Sequence, residues 1–502
     1  ALVTTEGFAD VIEIGRQHRP SLYDPWADRP APLVERRHRH EVRGRLDHVG
    51  AELVPLGDPP PLGDDVEAVA VCLLHADVDD RHERAVAAAL RARGHDVSAS
   101  HEVAPEFREY ERTVTTVMNA YLRPACARYL RSLAGLAGEV TVMTSAGGLV
   151  GIEDAAATPA ALLLSGPAGG ARAAAAVARA NGFPTALSFD MGGTSTDVCL
   201  VLSGQPAPAA QRDVAGLPVR LPSLDVHTIG AGGGSIARLD PGGALVVGPA
   251  SAGADPGPAC YGRGGTAPTV TDANLVAGRI PAGAELPGLG RLDRDAAEAA
   301  LGGLGVGDAR AAAEGVLRVV DAAMERALRT VSVARGVDPR DGALVAFGGA
   351  GPLHACALAD ALGVTTVLVP ARAGVLSAVG ILASPRQHDL VRSWPDPGDL
   401  SGVDVALDAL AAEAAASLGA GPVTVERLVD CRYAGQSHEL SVPDVASFAA
   451  EHERRNGYAR PGAPVEVVAL RATARRPAPL DVADLPAPDR ARGAGPVALV
   501  EP

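Results

Sequence analysis

The sequence contains no lysine, so every basic residue among its 45 lysine-plus-arginine positions is an arginine. This absence excludes Schiff-base enzymes, pyridoxal-phosphate enzymes and a Walker-type phosphate loop, because a guanidinium does not replace the lysine that each of these sites requires. Aromatic residues make up only 3% of the chain, so we expect cores built from alanine, valine and leucine. No segment approaches the ~18 uninterrupted apolar residues of a membrane span, and no signal-peptide pattern opens the sequence.

Cysteine is also scarce, with six residues far apart and no CxxC pair. This spacing indicates neither a zinc site nor a disulfide framework and favours buried free thiols in a soluble, cytoplasmic protein. The formal net charge is −15, and arginines are interspersed with acids. Such a surface argues against nucleic acid or an anionic membrane as partner and favours a small-molecule substrate.

A chain of 502 residues favours about three domains, and 47% hydrophobic with 21% charged residues is typical of a folded protein. We expect three segments: an α/β lobe at 1–164, a second α/β lobe at 165–395 and a small C-terminal α/β domain at 396–502. Pro124 predicts a kink or break in a long helix, and 241–290 is expected to be an ordered loop. The predicted strands are 2–5, 66–74, 343–347, 423–433 and 465–473. The predicted helices are 84–93, 112–133, 171–180, 311–335 and 405–418.

The segment 187–201, LSFDMGGTSTDVCLV, carries the sharpest local pattern. An apolar strand ends in Asp190, a Gly-Gly turn follows, and a second apolar strand returns after Asp197. This pattern predicts a β-hairpin whose tip presents backbone N–H groups, hydroxyls and carboxylates together, a combination suited to phosphate and Mg²⁺. The alternative is an ordinary glycine hairpin with its acids in solvent.

Three further glycine-rich segments accompany this hairpin. Residues 165–170, SGPAGG, open an alanine-rich helix that leads into it. Residues 228–237, TIGAGGGSIA, allow close backbone approach to an anion or substrate carbonyl, or they form a flexible strand junction. Residues 343–354, ALVAFGGAGPLH, predict a strand, a glycine turn and a helix start that can lie flat against a nucleoside.

The order of these elements resembles the second lobe of the actin, sugar-kinase and heat-shock-chaperone ATPase fold. In that resemblance, residues 190–197 correspond to the second phosphate loop and residues 348–351 to the adenosine loop. The first phosphate loop of that fold, another glycine-rich Asp-to-Thr hairpin, does not occur in the 502 residues. The expectation is therefore a complete second lobe joined to an incomplete first lobe.

Longer motifs make the resemblance specific. Besides DMGGTSTDV, GAGGGS, SAGADPGPACYG and FGGAGPLHA, the chain contains TTEGF, IGRQ, PEFREYER, NAYL, SAGGL and YAGQSHEL in one order. Together they resemble the hydantoinase A/5-oxoprolinase family over residues 4–473. The family resemblance implies an ATP-dependent amidohydrolase that opens a cyclic amide, a hydantoin or 5-oxoproline, through a phosphorylated amide. It also implies ATP and Mg²⁺ as cofactors and a hydantoinase B-type subunit as partner in a hetero-oligomer.

The resemblance implies roles for particular residues. Asp190 and Asp197 are the expected catalytic residues and hold Mg²⁺ through water. The expected nucleotide-binding residues are Gly192, Gly193, Thr194, Thr196, Gly232, Gly233, Gly234, Ser235, Gly348, Gly349 and Gly351. The weaker candidates are Asp255, His354, His101 and Glu102. A lone histidine near a helix start, such as His354, is commonly a capping or core residue.

The first residue is Ala1, and the resemblance leads us to expect a chain truncated at both ends. Two alternatives stay open at this point. One is an ATP-binding subunit of an acetone- or acetophenone-type carboxylase, and the other is a non-catalytic truncated subunit.

Overall fold

The computed structural model describes residues 1–286 and 288–485, which form a mixed α/β protein. Its β-strands are β1 (Leu2–Thr5), β2 (Arg39–Val42), β3 (Arg45–Leu46), β4 (Glu52–Val54), β5 (Ala68–Cys72), β6 (Asp96–Ala99), β7 (Thr141–Met143), β8 (Leu149–Gly151), β9 (Ala186–Met191), β10 (Thr196–Leu202), β11 (Gln205–Pro206), β12 (Pro208–Ala209), β13 (Arg212–Val214), β14 (Leu217–Val219), β15 (Ser223–Leu224), β16 (Val226–Ile229), β17 (Ser235–Leu239), β18 (Leu245–Ser251), β19 (Glu285–Leu286), β20 (Gly290–Arg291), β21 (Ala343–Phe347), β22 (Val367–Leu368), β23 (Arg386–Ser393), β24 (Thr424–Tyr433), β25 (Leu440–Val442) and β26 (Val465–Arg476).

The α-helices of the described residues follow the same numbering along the chain. They are α1 (Val11–Ile14), α2 (Arg81–Ala92), α3 (Ser100–Val103), α4 (Glu109–Ser132), α5 (Ile152–Ala157), α6 (Gly166–Ala180), α7 (Val270–Val276), α8 (Arg294–Gly302), α9 (Ala309–Val331), α10 (Gly351–Leu362), α11 (Leu376–Leu382), α12 (Val403–Ser417) and α13 (Phe448–Asn456). No helix in the described part of the chain is long and apolar enough to cross a membrane.

Two compact units divide the chain. Unit 1 contains residues 1–165, 208–223 and 385–478. A parallel sheet in the order β2-β1-β5-β6 lies near its start. A six-stranded sheet in the order β25-β24-β26-β23-β8-β7 joins its early and late segments, and α12 packs on β24 and β26.

The late segment, residues 385–478, belongs to unit 1. Strand β23 pairs in parallel with β8 at Arg386 and Leu149, and the N–H of Leu149 donates to the Pro385 carbonyl. These bonds place the strands of residues 386–476 in one sheet with β7 and β8. Another boundary between the two units lies between residues 165 and 166.

Unit 2 contains residues 166–207 and 224–384, together with residues 479–485 of the described chain. Its main sheet has the order β11-β10-β9-β21-β22, with β16 added on β10. One core combines strand residues with α7, α9 and α10, and a second core joins β9 and β21 to α6. Both cores consist largely of alanine, valine and leucine.

Helices α6 and α11 of unit 2 cross with their backbones in direct contact. A Cβ on Gly169 would lie 2.6 Å from the Ser377 carbonyl oxygen, and a Cβ on Gly380 would overlap the Gly169 carbonyl. The glycines of SGPAGG therefore serve the packing of two helices, because the absence of Cβ atoms permits this approach.

Two local predictions differ from the observed structure. Pro124 lies inside α4, which continues without interruption to Ser132. Residues 241–290 also include the strand β18 and the helix α7. Helix α7 begins at a capping box, in which the Thr269 side chain accepts from Asp272 N–H and the Asp272 carboxylate accepts from Thr269 N–H.

Candidate functional site

The hairpin of β9 and β10 brings two carboxylates together. Asp190 lies directly opposite Asp197 in the antiparallel register, so both side chains are on one face of the sheet. Ser377 Oγ donates to Asp190 Oδ2 over 2.9 Å, and Thr228 Oγ1 donates to Asp197 Oδ1 over 2.5 Å. The two acids are thus oriented by hydroxyls from two other elements.

The environment of Asp190 disfavours its charged form. Burial raises the pKa of Asp190 to about 6; the hydrogen bond from Ser377 opposes this shift, and the negative charge of Asp197 adds to it. A carboxylate that is partly desolvated next to a second carboxylate is a site that a cation would stabilise. Among the described residues, no group of three or more His, Cys, Asp or Glu side chains has the geometry of a metal site. A cation here would therefore depend on two carboxylates, water and ligand oxygens.

The tip of the hairpin is open. The Gly192 N–H donates to the Ser195 carbonyl over 3.0 Å and closes the turn, while Gly193 and Thr194 are exposed. A Cβ placed on Gly193 would meet no atom within 4 Å. Gly193 and Thr194 consequently form an exposed surface at the tip of the hairpin.

Thr196 occupies a different environment from Thr194. Its side chain is fully buried, and its Oγ1 donates to the Ala231 carbonyl over 2.5 Å. This hydroxyl is directed into the protein and joins the hairpin to the following glycine loop.

The glycine loop at 232–235 lies directly behind the hairpin tip. Gly233 N–H donates to the Gly192 carbonyl (3.0 Å), and Gly234 N–H donates to the Gly193 carbonyl (2.6 Å). Gly232 N–H donates to Ser235 Oγ (2.8 Å). A Cβ on Gly232 would lie only 2.6 Å from the backbone nitrogen of Thr194. The loop's glycines therefore permit contact between two backbones, and their N–H groups are engaged within the protein.

The second glycine turn, after β21, lies beside Asp190. Strand β21 runs parallel to β9 with Phe347 opposite Asp190. Gly348 has φ +81°, and a Cβ there would overlap Asp190 Oδ1 and the Met191 carbonyl. Gly349 is exposed with no atom within 4 Å of an added Cβ, and Gly351 begins α10. The turn therefore packs against Asp190 at Gly348 and is open to solvent at Gly349.

Ser377 is a site residue that the motifs do not indicate. It lies on α11, 187 residues after the acid that it contacts, and a Cβ on Gly170 would approach its Oγ to 2.8 Å. The available signal was the pair of small-residue segments in α6 and α11, which is typical of two helices in close contact.

The weaker histidine candidates belong to buried networks. His354 is fully buried, with Nδ1 2.6 Å from Asp321 Oδ1 and Nε2 3.1 Å from Asn274 Nδ2. In unit 1, His101 Nδ1 lies 2.8 Å from Oε1 of the fully buried Glu83. Both rings are held by neighbouring side chains, which is the arrangement of a structural histidine.

The remaining weak candidates lie at exposed or surface positions. Asp255 is exposed, in a turn that precedes the short helix at Ala259–Tyr261. Glu102 forms an ion pair with Arg91 at 2.5 Å, and both side chains are about 40% exposed.

Comparisons with known proteins identify one family. The hydantoinase/oxoprolinase model matches residues 112–389, and the model of the hydantoinase/oxoprolinase N-terminal region matches residues 1–94. The chain is 36% identical to the caprolactamase subunit alpha of Pseudomonas jessenii, covering 93% of this chain and 74% of that protein. It is 32% identical to the 5-oxoprolinase of Saccharomyces cerevisiae, covering 76% of this chain and about one third (33%) of that protein.

Two solved structures share the fold over 95% of this chain. The ATP-dependent caprolactamase from Pseudomonas jessenii superposes with a TM-score of 0.80 at 34% identity, over 75% of its own length. The nucleotide-free structure of acetone carboxylase superposes with a TM-score of 0.72 at 25% identity, over 76% of its own length.

Proposed function

The chain belongs to the hydantoinase/oxoprolinase family, and from this premise we propose that it is a subunit of an ATP-dependent cyclic-amide hydrolase. The proposed reaction opens a hydantoin, 5-oxoproline or a related lactam through phosphorylation of the amide oxygen. The observation that carries the proposal is the pair of opposed carboxylates beside an open glycine tip in β9 and β10. Carboxylates with exposed backbone N–H groups and hydroxyls suit phosphate and a divalent cation better than they suit covalent catalysis.

Asp190 and Asp197 fit the role of cation ligands, directly or through water. Mg²⁺ commonly binds proteins through one or two carboxylates, with water and substrate phosphates completing its shell. The raised pKa of Asp190 is consistent with this assignment, because a cation would offset both its desolvation and the charge of Asp197. ATP supplies the phosphoryl group that makes the amide oxygen a leaving group. Asp190 and Asp197 are the residues to which we assign the catalytic role.

Phosphate binding is assigned to the hairpin tip. Gly192 shapes the turn, and Gly193 and Thr194 are exposed to provide N–H and hydroxyl donors. We assign supporting roles to the buried Thr196 and to residues 232–235, whose bonds hold the tip from behind. The nucleoside is assigned to the turn formed by Gly348, Gly349 and Gly351, because its exposed glycine leaves room for a flat ligand.

The order of elements supports an actin-like ATPase lobe in unit 2. A helix precedes the acidic hairpin, a long helix follows it, and a strand with a glycine turn and a helix comes next. We propose that a hydantoinase B-type subunit works with this chain, since the relatives include a protein named as a caprolactamase subunit.

The direct test measures ADP release by the chain together with its B-type subunit. We expect 5-oxoproline, a hydantoin or a lactam to stimulate ADP release and to yield the ring-opened acid in equal amount. An Asp190→Ala substitution should abolish this turnover, and unchanged turnover would refute the assignment of the hairpin. Calorimetry with Mg-ATP tests the non-catalytic alternative, which predicts no nucleotide binding.

A second function is favoured by the similarity to acetone carboxylase. In this alternative the chain is the ATP-binding subunit of a carboxylase that acts on a ketone. The two functions share the phosphate site and differ in the acceptor. ADP release stimulated by a ketone with bicarbonate, and by no cyclic amide, would select the carboxylase.

A further inference from the structure

Unit 1 contains a cavity that the proposed nucleotide site does not use. Its volume is about 480 Å³, within the range of small-molecule sites in proteins. The apolar residues of its lining include Phe107, Trp394, Pro395 and Pro397. Three segments singled out in the sequence, IGRQ, PEFREYER and YAGQSHEL, contribute Arg16, residues 107–109 and Ser437 to the lining.

Two arginines of the lining, Arg16 and Arg432, are held by carboxylates of the protein. Arg16 donates to Glu111 through Nε (2.9 Å) and through its second terminal nitrogen (2.5 Å). Arg432 Nε donates to Glu466 Oε2 over 2.7 Å. A guanidinium carries five N–H donors in a fixed plane. Each arginine is thus fixed in place, and it retains N–H donors that are not bonded to its carboxylate partner.

Arg108 is the most constrained of the three cavity arginines. Its backbone has φ +78°, the left-handed region that non-glycine residues rarely adopt. Its guanidinium donates to the Ser437 carbonyl (2.6 Å) and to Glu439 Oε2 (2.8 Å), and lies 5.1 Å from the centre of the Phe107 ring. Its Nε is buried and has no hydrogen-bond partner among the described residues. Arg108 is therefore held between an aromatic ring and a carboxylate, and its Nε–H remains an unsatisfied donor.

The charged groups that line the cavity are largely paired within the protein. Besides the three arginines, the lining includes two acids, Asp77 and Glu109, and two histidines. Asp77 is already neutralised by Arg112, whose terminal nitrogen donates to it over 2.6 Å. Glu111, Glu439 and Glu466 likewise pair with Arg16, Arg108 and Arg432, so the fixed charges leave no positive excess, and the lining offers an anion the N–H donors that these pairs do not use.

We propose that this cavity binds a small organic carboxylate with an apolar body. The carboxylate lies on the side of Arg16, Arg108 and Arg432, and the apolar body packs against Phe107 and Trp394. Ring opening of a cyclic amide produces such an acid, so the ring-opened product is the ligand that the proposed function would supply. The binding site itself does not depend on that function, because the cavity lies in unit 1 and its occupancy is measured without nucleotide.

The two tryptophans of the chain make the site directly observable. Trp394 lines the cavity, and Trp26 is 89% exposed. In a Trp26→Phe background of the full chain, all tryptophan emission comes from Trp394. We expect hexanoate and 6-aminohexanoate to change this emission in a saturable way, and hexanamide, the neutral isostere of hexanoate, to cause no saturable change at the same concentrations.

Arginine variants test the charge contact. Arg432→Gln should raise the Kd for hexanoate roughly tenfold or more, the effect of losing a charge-assisted hydrogen bond. Arg108→Gln should have a similar or larger effect. Arg427→Gln, an exposed arginine on β24 outside the cavity, should leave the Kd unchanged. Circular dichroism reports whether each variant is folded, and if Arg108→Gln is not, the more exposed Arg432 carries the comparison.

Three results would overturn the proposal. The first is the absence of a saturable change with either acid. The second is equal affinity for hexanoate and hexanamide, or an unchanged Kd in the folded Arg432→Gln variant, which would make the cavity merely apolar. The third is displacement of hexanoate by inorganic phosphate at lower concentrations than hexanoate itself requires, which would make the site one for phosphoryl groups.

Discussion

Replacing Asp190 by asparagine should stabilise the ligand-free protein while it abolishes ATP turnover. Burial and the neighbouring Asp197 raise the pKa of Asp190 from 3.8 to about 6 in the folded state. This shift corresponds to about 3 kcal/mol by which the charged form is disfavoured on folding. Asparagine has no charge to desolvate, and its side-chain oxygen is able to accept the hydrogen bond from Ser377.

The pH dependence gives this prediction its sign. Between pH 3.8 and about 6 the folded protein binds more protons at Asp190 than the unfolded chain does, so its stability falls as pH rises through this window. The free energy of unfolding of Asp190→Asn should exceed that of the unchanged protein by about 3 kcal/mol at pH 8. The difference should fall to about half of this value at pH 5 and vanish near pH 3.

Urea unfolding at pH 8 and pH 5, followed by circular dichroism, measures the two differences. Glu285→Gln, at an exposed carboxylate of β19, controls for the general loss of one negative charge. Mg-ATP at about 100 times its Kd should then stabilise the unchanged protein by about 2.7 kcal/mol and leave Asp190→Asn unaffected. A variant that is less stable than the unchanged protein at pH 8 would refute the reasoning.

Other substitutions test the surroundings of this acid. Gly348→Ala places a Cβ against Asp190 at a residue with a left-handed backbone conformation, so it should lower the free energy of unfolding by about 1–3 kcal/mol and remove nucleotide binding. Gly349→Ala, with open space around it, is the matched control in thermal melts and calorimetry. Ser377→Ala removes a hydrogen bond that lowers the pKa of Asp190, so the acid limb of the pH profile of turnover should move to higher pH. Gly232→Ala should displace the hairpin tip and weaken Mg-ATP binding at least tenfold by calorimetry; unchanged affinity would show that the loop does not support the tip.

The sequence predicted the elements whose signals are local. The strand at 343–347 coincides with β21, because an uninterrupted apolar run is bounded by glycines on both sides. The hairpin of β9 and β10 follows from two apolar runs on either side of Gly-Gly. Helix α9 begins at Ala309, two residues before the predicted start, after an Asp308 cap whose signal precedes the apolar pattern.

Features that depend on distant residues were not predictable in the same way. A glycine that permits contact with a ligand and a glycine that permits contact with another backbone have the same local sequence, so the position of Gly232 behind the hairpin tip required the fold. Ser377 reaches Asp190 across 187 residues without a motif of its own. The pairing of β23 with β8 is likewise a contact between separate segments, and no local pattern distinguishes it from a separate domain.

The pairing of β23 with β8 also bears on how the protein is made. Strand β8 is synthesised well before its partner, since all of α6 to α11 lies between them in the chain. At roughly 5–20 residues per second, the ~235 intervening residues take on the order of tens of seconds to emerge from a ribosome. During that interval β8 has β7 on one side and an unpaired edge on the other. A nascent chain that stalls before residue 386 would therefore present an open strand edge, the kind of surface that chaperones bind and that aggregation exploits.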